Sequence, residues 1–266
     1  AALNKYKKNK KMKRSSSSSF LSMLIYALAI ACADVAAAAT SSNPDEVIDQ
    51  ISTEGSLILS GARMNNVFVR QCSCEEQREC TEEMKAQADA CTKPCFDVFE
   101  KVTDRPAELR LCFDNKADIV ESFINCFEKR VDACVPTMNG PRIPKTDISE
   151  IFHLAEVSVS RPPSATIQAL IAPIKHYLDA AGEFALCVKD CFLGKNSAGF
   201  CYDKKGCQPM ISDIKAQSSL RVCTKRVQWK RQAGEICDCS VNAGLTDLRQ
   251  YCSIFKLMAR RPIRHH

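Results

Sequence analysis

The stretch LRLCFDNKADIVESFINCFEKRVDAC, residues 109–134, decides the fold class. Within it Leu109, Cys112, Phe113, Val120, Phe123, Phe127, Val131 and Cys134 recur mostly at steps of three or four, which keeps apolar side chains on one side of an α-helix. The same spacing runs through Cys80, Met84, Ala88, Cys91 and Cys95. It returns through Ile174, Tyr177, Leu178, Ala181, Phe184, Val188 and Cys191, with Pro173 suited to the first turn. A last stripe, Leu245, Leu248, Tyr251, Cys252, Phe255 and Met258, begins near Thr246 or Asp247. Pro94 lacks an amide proton and crowds the preceding turn, so one helix is expected to end near Cys91 and another to start at Pro94. No stretch alternates apolar and polar residues as a half-buried strand does. The expected fold is mainly α: a disulfide-rich helical domain with two related cysteine-rich halves.

The cysteines set the compartment. Of 17, Cys32 lies in an apparent export signal, in which Lys5, Lys7, Lys8, Lys10, Lys11, Lys13 and Arg14 precede the apolar run Phe20 to Ala33 and a small-residue stretch to Ala39. That order of basic, apolar and small residues is the one a secretory signal needs. Ala31-Cys32-Ala33 offers a cleavage site, with Ala37 and Ala39 as alternatives. A retained anchor is the competing reading, since 20 residues suffice to span a bilayer, but Asp34 interrupts the run. Residues 1–11 read as upstream translation, with Met12 a more conventional start. Sixteen cysteines remain: Cys72, Cys74, Cys80, Cys91, Cys95, Cys112, Cys126, Cys134, Cys187, Cys191, Cys201, Cys207, Cys223, Cys237, Cys239 and Cys252. An even number in an exported chain reads as disulfides. The pairs Cys72-Ser-Cys74 and Cys237-Asp-Cys239 are too close for zinc-knuckle spacing and have no histidine nearby, so no metal is expected.

Pairing itself is not legible, but one exclusion is. If residues 109–134 form one helix, Cys112 and Cys126 stand about 21 Å apart at 1.5 Å per residue, and a disulfide needs Cα atoms within about 7 Å. Both must bond to other segments, and Cys223 and Cys237 follow the same rule. Cys91/Cys95 and Cys187/Cys191, four apart on a helix, project side by side and should also reach outward.

Eight cysteines fall between Cys72 and Cys134, none in the next 52 residues, and eight between Cys187 and Cys252. The halves share local pattern. Cys91-Thr-Lys-Pro-Cys95-Phe96 resembles Cys187-Val-Lys-Asp-Cys191-Phe192, and Leu109-Arg-Leu-Cys112 with Cys126 14 positions on resembles Leu220-Arg-Val-Cys223 with Cys237 14 positions on. Duplication explains such agreement. The expected organisation is a signal over 1–33, an N-terminal extension over 34–70, cysteine-rich helical halves over 71–135 and 166–255, a Pro-rich connector over 136–165, and a basic tail over 256–266. Thr146-Asp147 is suited to cap a short helix within the connector.

The chain carries 37 Lys plus Arg and 31 Asp plus Glu, net +6, yet residues 1–33 hold seven of the bases and no acid. The remainder has 30 bases against 31 acids, net −1, which removes the electrostatic case for nucleic acid or an anionic membrane. His153, His176, His265 and His266 sit in no catalytic motif, and His176 lies on the polar side of its helix. With no phosphate loop and no nominated carboxylate pair, neither catalytic residues nor a cofactor are expected. Trp229 among Lys225, Arg226, Lys230 and Arg231 reads as a core aromatic on a basic helix. There is no N-glycosylation sequon.

The Cys91-x3-Cys95-Phe96 element, Cys112-Phe113, Cys126-Phe127 and the spaced cysteines downstream resemble the nematode chondroitin proteoglycan 4 domain family over about residues 70–255. The resemblance implies an extracellular matrix or secreted protein with no catalytic residues to carry over. It also raises glycosaminoglycan attachment, but the sole Ser-Gly, Ser60-Gly61, follows Leu57, Ile58 and Leu59 instead of acids. The expectation is a secreted structural or interaction protein, not an enzyme, with an extracellular protein or glycan partner, no nucleic acid, and no membrane once the signal is cleaved. Two alternatives stay open: a carrier of a small apolar ligand enclosed between helices, and a protease inhibitor or effector presenting Lys204-Lys205-Gly206.

Overall fold

The computed structural model describes residues 44–162 and 165–259; the segment expected to be an export signal and the basic residues beyond 259 lie outside them. Helix accounts for 73% of the described residues and strand for 9%, so the chain is mainly α. The order is α1 (Pro44–Gly61), β1 (Arg63–Gln71), α2 (Cys74–Cys95), a 3-10 segment (Phe96–Lys101), α3 (Pro106–Asp114), α4 (Ala117–Val131), β2 (Arg142–Thr146), α5 (Ile148–Val159), α6 (Ala165–Ile171), a 3-10 turn (Ala172–Ile174), α7 (Lys175–Lys195), α8 (Cys201–Lys205), β3 (Cys207–Gln208), α9 (Asp213–Arg226), α10 (Trp229–Asn242), a 3-10 turn (Thr246–Leu248) and α11 (Arg249–Ala259).

Local chemistry explains the boundaries. Ser73 caps α2 by accepting from the Glu76 amide while the Glu76 carboxylate accepts from the Ser73 amide, a reciprocal capping box. Asp147 caps α5 by accepting from the Ser149 and Glu150 amides, as the sequence suggests. Pro106 opens α3 where no amide donor is needed. Pro94 does not divide α2, contrary to expectation. It occupies the helix's last turn, beside Cys95, so the single lost hydrogen bond falls where the helix is already giving way to the 3-10 segment.

Residues 109–134 are not one helix but two. The chain breaks at Asn115-Lys116, where Asp114 and Asn115, whose side chains compete for backbone hydrogen bonds, weaken the helix. The matching stretch of the second half also breaks, but there through a left-handed residue, Gln228 at φ 50° between α9 and α10. A small sheet in the order β2-β1-β3 was also not expected. β1 runs antiparallel to β2, with Val69 opposite Ile143, and parallel to β3, with Arg70 opposite Cys207.

All sixteen cysteines are paired. Cys91–Cys191 and Cys95–Cys187 join α2 to α7; Cys112–Cys239 joins α3 to α10, and Cys126–Cys223 joins α4 to α9. Cys72–Cys207 ties the residue after β1 to β3, and Cys80–Cys201 ties α2 to α8. Cys74–Cys134 and Cys237–Cys252 close within their own halves. Six of the eight therefore cross between the cysteine-rich halves. The crossing is also reciprocal. Matching Cys91 to Cys187 and Cys95 to Cys191 by sequence, each bonds the other's counterpart. Cys126 bonds Cys223, while Cys112 bonds Cys239, two residues beyond the counterpart of Cys126. Such exchange is what a two-fold relation between the halves would produce, and equally what two bridges between antiparallel helices produce.

The main core lies in this interlock. Phe96, Phe99 and Phe184 are buried and mutually packed, with ring centroids 4.8 to 5.8 Å apart. Phe192 links Phe152 and Phe200 at 5.5 and 6.0 Å. Leu109, Ile124, Tyr177, Val188 and Leu245 complete the cluster, drawing side chains from both halves. α1 packs on α5 and α9, which places the N-terminal extension on the body of the domain.

Candidate functional site

The most heavily constrained region is the corner where β1, the start of α2, α8 and β3 meet. Arg70 leaves the end of β1 and donates from Nη1 and Nη2 to the two carboxylate oxygens of Glu76, at 2.9 and 2.7 Å, while Nη2 also reaches the Lys205 carbonyl at 3.4 Å. Glu76 is 4% exposed. The hydrogen-bonded guanidinium, helped by Ser73 and opposed by burial, holds its carboxyl down at about 2. Gln71 Nε2 donates to the Ala133 carbonyl, and Gln208 brackets Thr146 by accepting from its amide and donating to its carbonyl. Three disulfides, Cys72–Cys207, Cys74–Cys134 and Cys80–Cys201, enclose this network.

A carboxylate held near 2 in the fold and near 4.5 when unfolded stabilises the ionised native state above the unfolded value, and that stability is lost as pH falls through the folded one. At about 1.4 kcal/mol per pH unit, the pair contributes on the order of 3 kcal/mol at neutral pH. Glu76→Gln is therefore expected to lower the denaturant midpoint at pH 7 and to flatten the stability loss between pH 4.5 and 2. Parallel urea titrations of the two proteins across that range measure it; an unchanged acid limb in the variant counts against the pair as the source.

The inhibitor candidate Lys204-Lys205-Gly206 falls in this corner. It is the end of α8 and its left-handed cap, with Gly206 at φ 62°, and Lys205 is paired with Glu79 at 2.6 Å. The segment is a clamped corner rather than a projecting loop, although Lys204 is exposed. Phe96 and Phe99 of the 3-10 segment and Phe184 and Phe192 of α7 pack together in the main core.

The described surface includes a hollow and an exposed apolar strand face. A hollow of about 340 Å³ lies over the α4–α9 disulfide, lined by Asp118, Glu121, Ser122, Asn125, Cys126, Lys129 and Arg226. Its acids sit towards the start of α4 and its cations at the ends of α4 and α9, so it presents both signs of charge. On β1, Met64, Val67 and Phe68 are exposed, Phe68 to 50%. This strand bends where Asn66 takes φ 59° and the register with β2 shifts. Neither surface was nominated from sequence: the hollow joins α4 to Arg226 of α9, distant in the chain, and the β1 face carries no alternation of burial for the sequence to record.

The other residues singled out by sequence are dispersed. His153 and His176 are exposed, and His176 lies 3.8 Å from Asp247. Burial, with Asp247 close by, pushes the neighbouring Tyr177 hydroxyl up. Ser60 is exposed in the last turn of α1 and donates to the Leu57 carbonyl. The Trp229 and Lys230 side chains lie outside the described residues, while Arg231 pairs with Glu235, which also holds Lys116. Among the described residues no group of three or more His, Cys, Asp or Glu is placed to hold a metal ion, and no helix is long and apolar enough to cross a membrane. No family model, curated protein or solved structure matches the chain.

Proposed function

We propose that the protein is a secreted, disulfide-stabilised structural or interaction protein of the extracellular space, without catalytic activity, as its resemblance to the chondroitin proteoglycan 4 domain family implies. The observation that carries this reading is the pairing of all sixteen cysteines outside the signal, six bridges of which lock one half of the chain to the other. Disulfides persist where the surroundings are oxidising. A domain of this length can bury a core without covalent help, so eight bridges favour a role that rewards durability. The surfaces left for a protein or glycan partner are the two-signed hollow and the exposed face of β1.

Expression in a eukaryotic secretory host tests the proposal. The protein is expected in the medium, with the apolar run Phe20 to Ala33 removed and no thiol open to alkylation after denaturation without reductant, and to bind an extracellular-matrix preparation. Retention in the membrane fraction, or several free thiols, sinks the secreted reading. Co-purifying lipid or inhibition across a protease panel sinks the structural one in favour of a carrier or an inhibitor.

A further inference from the structure

We propose that Cys74–Cys134 is an exchangeable disulfide, through which the folded protein forms mixed disulfides with an external thiol while the other seven bridges stay closed. In each of those seven, at least one cysteine is buried: Cys72, Cys80, Cys91, Cys95, Cys112, Cys126 and Cys237 are 7% exposed or less. In Cys74–Cys134 neither is buried, and Cys74 is the one exposed cysteine among the sixteen. Access to a sulfur is the first requirement for thiol attack.

Position supplies the second requirement, a good leaving group. Cys74 is the first residue of α2, a helix of 22 residues, and a helix N-terminus favours the thiolate. The adjacent Glu75 carboxylate opposes this, but its side chain is 75% exposed to water and lies 3.6 Å from Arg78. The incoming thiolate attacks Cys134 Sγ, the Cys74–Cys134 bond breaks, and its electron pair leaves on Cys74 Sγ as thiolate. One disulfide is lost and one is made, so no oxidant or reductant is consumed. Return attack by Cys74 releases the partner.

The fold is built to survive the opening. The Cys74 amide donates to the Val135 carbonyl at 2.9 Å, and the Val135 amide to the Cys72 carbonyl at 3.0 Å. The Ala133 carbonyl accepts from both Gln71 Nε2 and the Met210 amide, at 2.9 and 2.8 Å. The strand of chain that carries Cys134 is therefore held on both sides without its sulfur, and Cys72–Cys207 anchors the same corner two residues away.

The test is exposure of the folded protein to glutathione, followed by acid quench, alkylation and peptide mapping. Glutathione on Cys134 with the alkyl label on Cys74 is expected about tenfold or more faster than any adduct elsewhere, with circular dichroism unchanged. First uptake at any of the other fourteen cysteines, or uptake only as the protein unfolds, overturns the proposal; glutathione on Cys74 instead overturns the direction of exchange. The double variant Cys74→Ala/Cys134→Ala is expected to keep the native spectrum and take up no glutathione. Failure of that variant to fold would make the bridge structural and overturn the proposal as well.

Discussion

Replacing Cys91 and Cys191 by alanine is expected to destabilise the protein by about 2 to 3 kcal/mol, and removing Cys95–Cys187 as well by about 4 kcal/mol more. The inequality comes from loop lengths. While Cys95–Cys187 remains, the bridge four residues away on each helix closes a ring of only about ten residues. Once both are gone, the nearest remaining bridge is Cys80–Cys201 from α2 to α8, and the ring that Cys95–Cys187 had closed runs through the 16 residues 80–95 and the 15 residues 187–201. Chain-entropy loss grows with the logarithm of loop size. Removing Cys95–Cys187 first should reverse which bridge is cheap and which is costly while leaving the total unchanged. Denaturant titration of the two single-bridge variants and the double variant measures the coupling; two equal, additive losses would show that each bridge acts through local strain rather than through the unfolded chain.

Phe184→Ala should cost about 3 to 5 kcal/mol, as large-to-small changes at a filled aromatic site do. Phe184 is 1% exposed, and its ring packs edge-on to Phe96 at 5.8 Å and tilted against Phe99 at 5.4 Å, so truncation strips contacts from both halves of the chain at once. The flanking bridges prevent the helices from collapsing into the gap, which puts the cost towards the top of that range. In a domain of this size each kcal/mol lowers the midpoint of thermal unfolding by about 2 to 4 °C, so a loss of roughly 10 °C is expected by calorimetry. Phe184→Leu, which refills most of the volume, should recover more than half of it. A midpoint within a degree or two of the parent would mean that the aromatic cluster is not the mechanical centre of the fold.

Helices were legible because each buries one stripe, and a stripe leaves a period in the sequence. Where the period failed, physics local to one or two residues had intervened. Asp114 and Asn115 end α3 although Leu109 to Val131 would suit a continuous helix, and Pro94 is tolerated because it stands in a final turn. The sheet was illegible for a different reason. From Arg63 to Phe68 the β1 side chains are exposed on both faces, so no alternation of burial exists for the sequence to record. The outward reach of Cys112 and Cys126 was foreseen from helix geometry, but the break between α3 and α4 separates them as well. Partner choice was not legible, since it depends on how α2, α3 and α4 lie against α7, α10 and α9. The Arg70–Glu76 pair was missed because nothing in the sequence distinguishes an arginine six residues before a glutamate from a solvated one.

The six bridges that cross between the halves give the molecule a covalent connectivity that does not depend on its backbone being continuous. Residues 136–139, exposed after α4, precede every cysteine of the second half, and residue 134 ends the first. A protease that cuts once between 135 and 186 would produce two polypeptides and still leave one molecule, its core, sheet corner and partner surfaces held by sulfur alone. Damage of that kind would be invisible until a reductant divided the pieces. In surroundings rich in proteases, such a domain behaves less like a thread that can be severed than like a mesh that must be cut in many places before it comes apart.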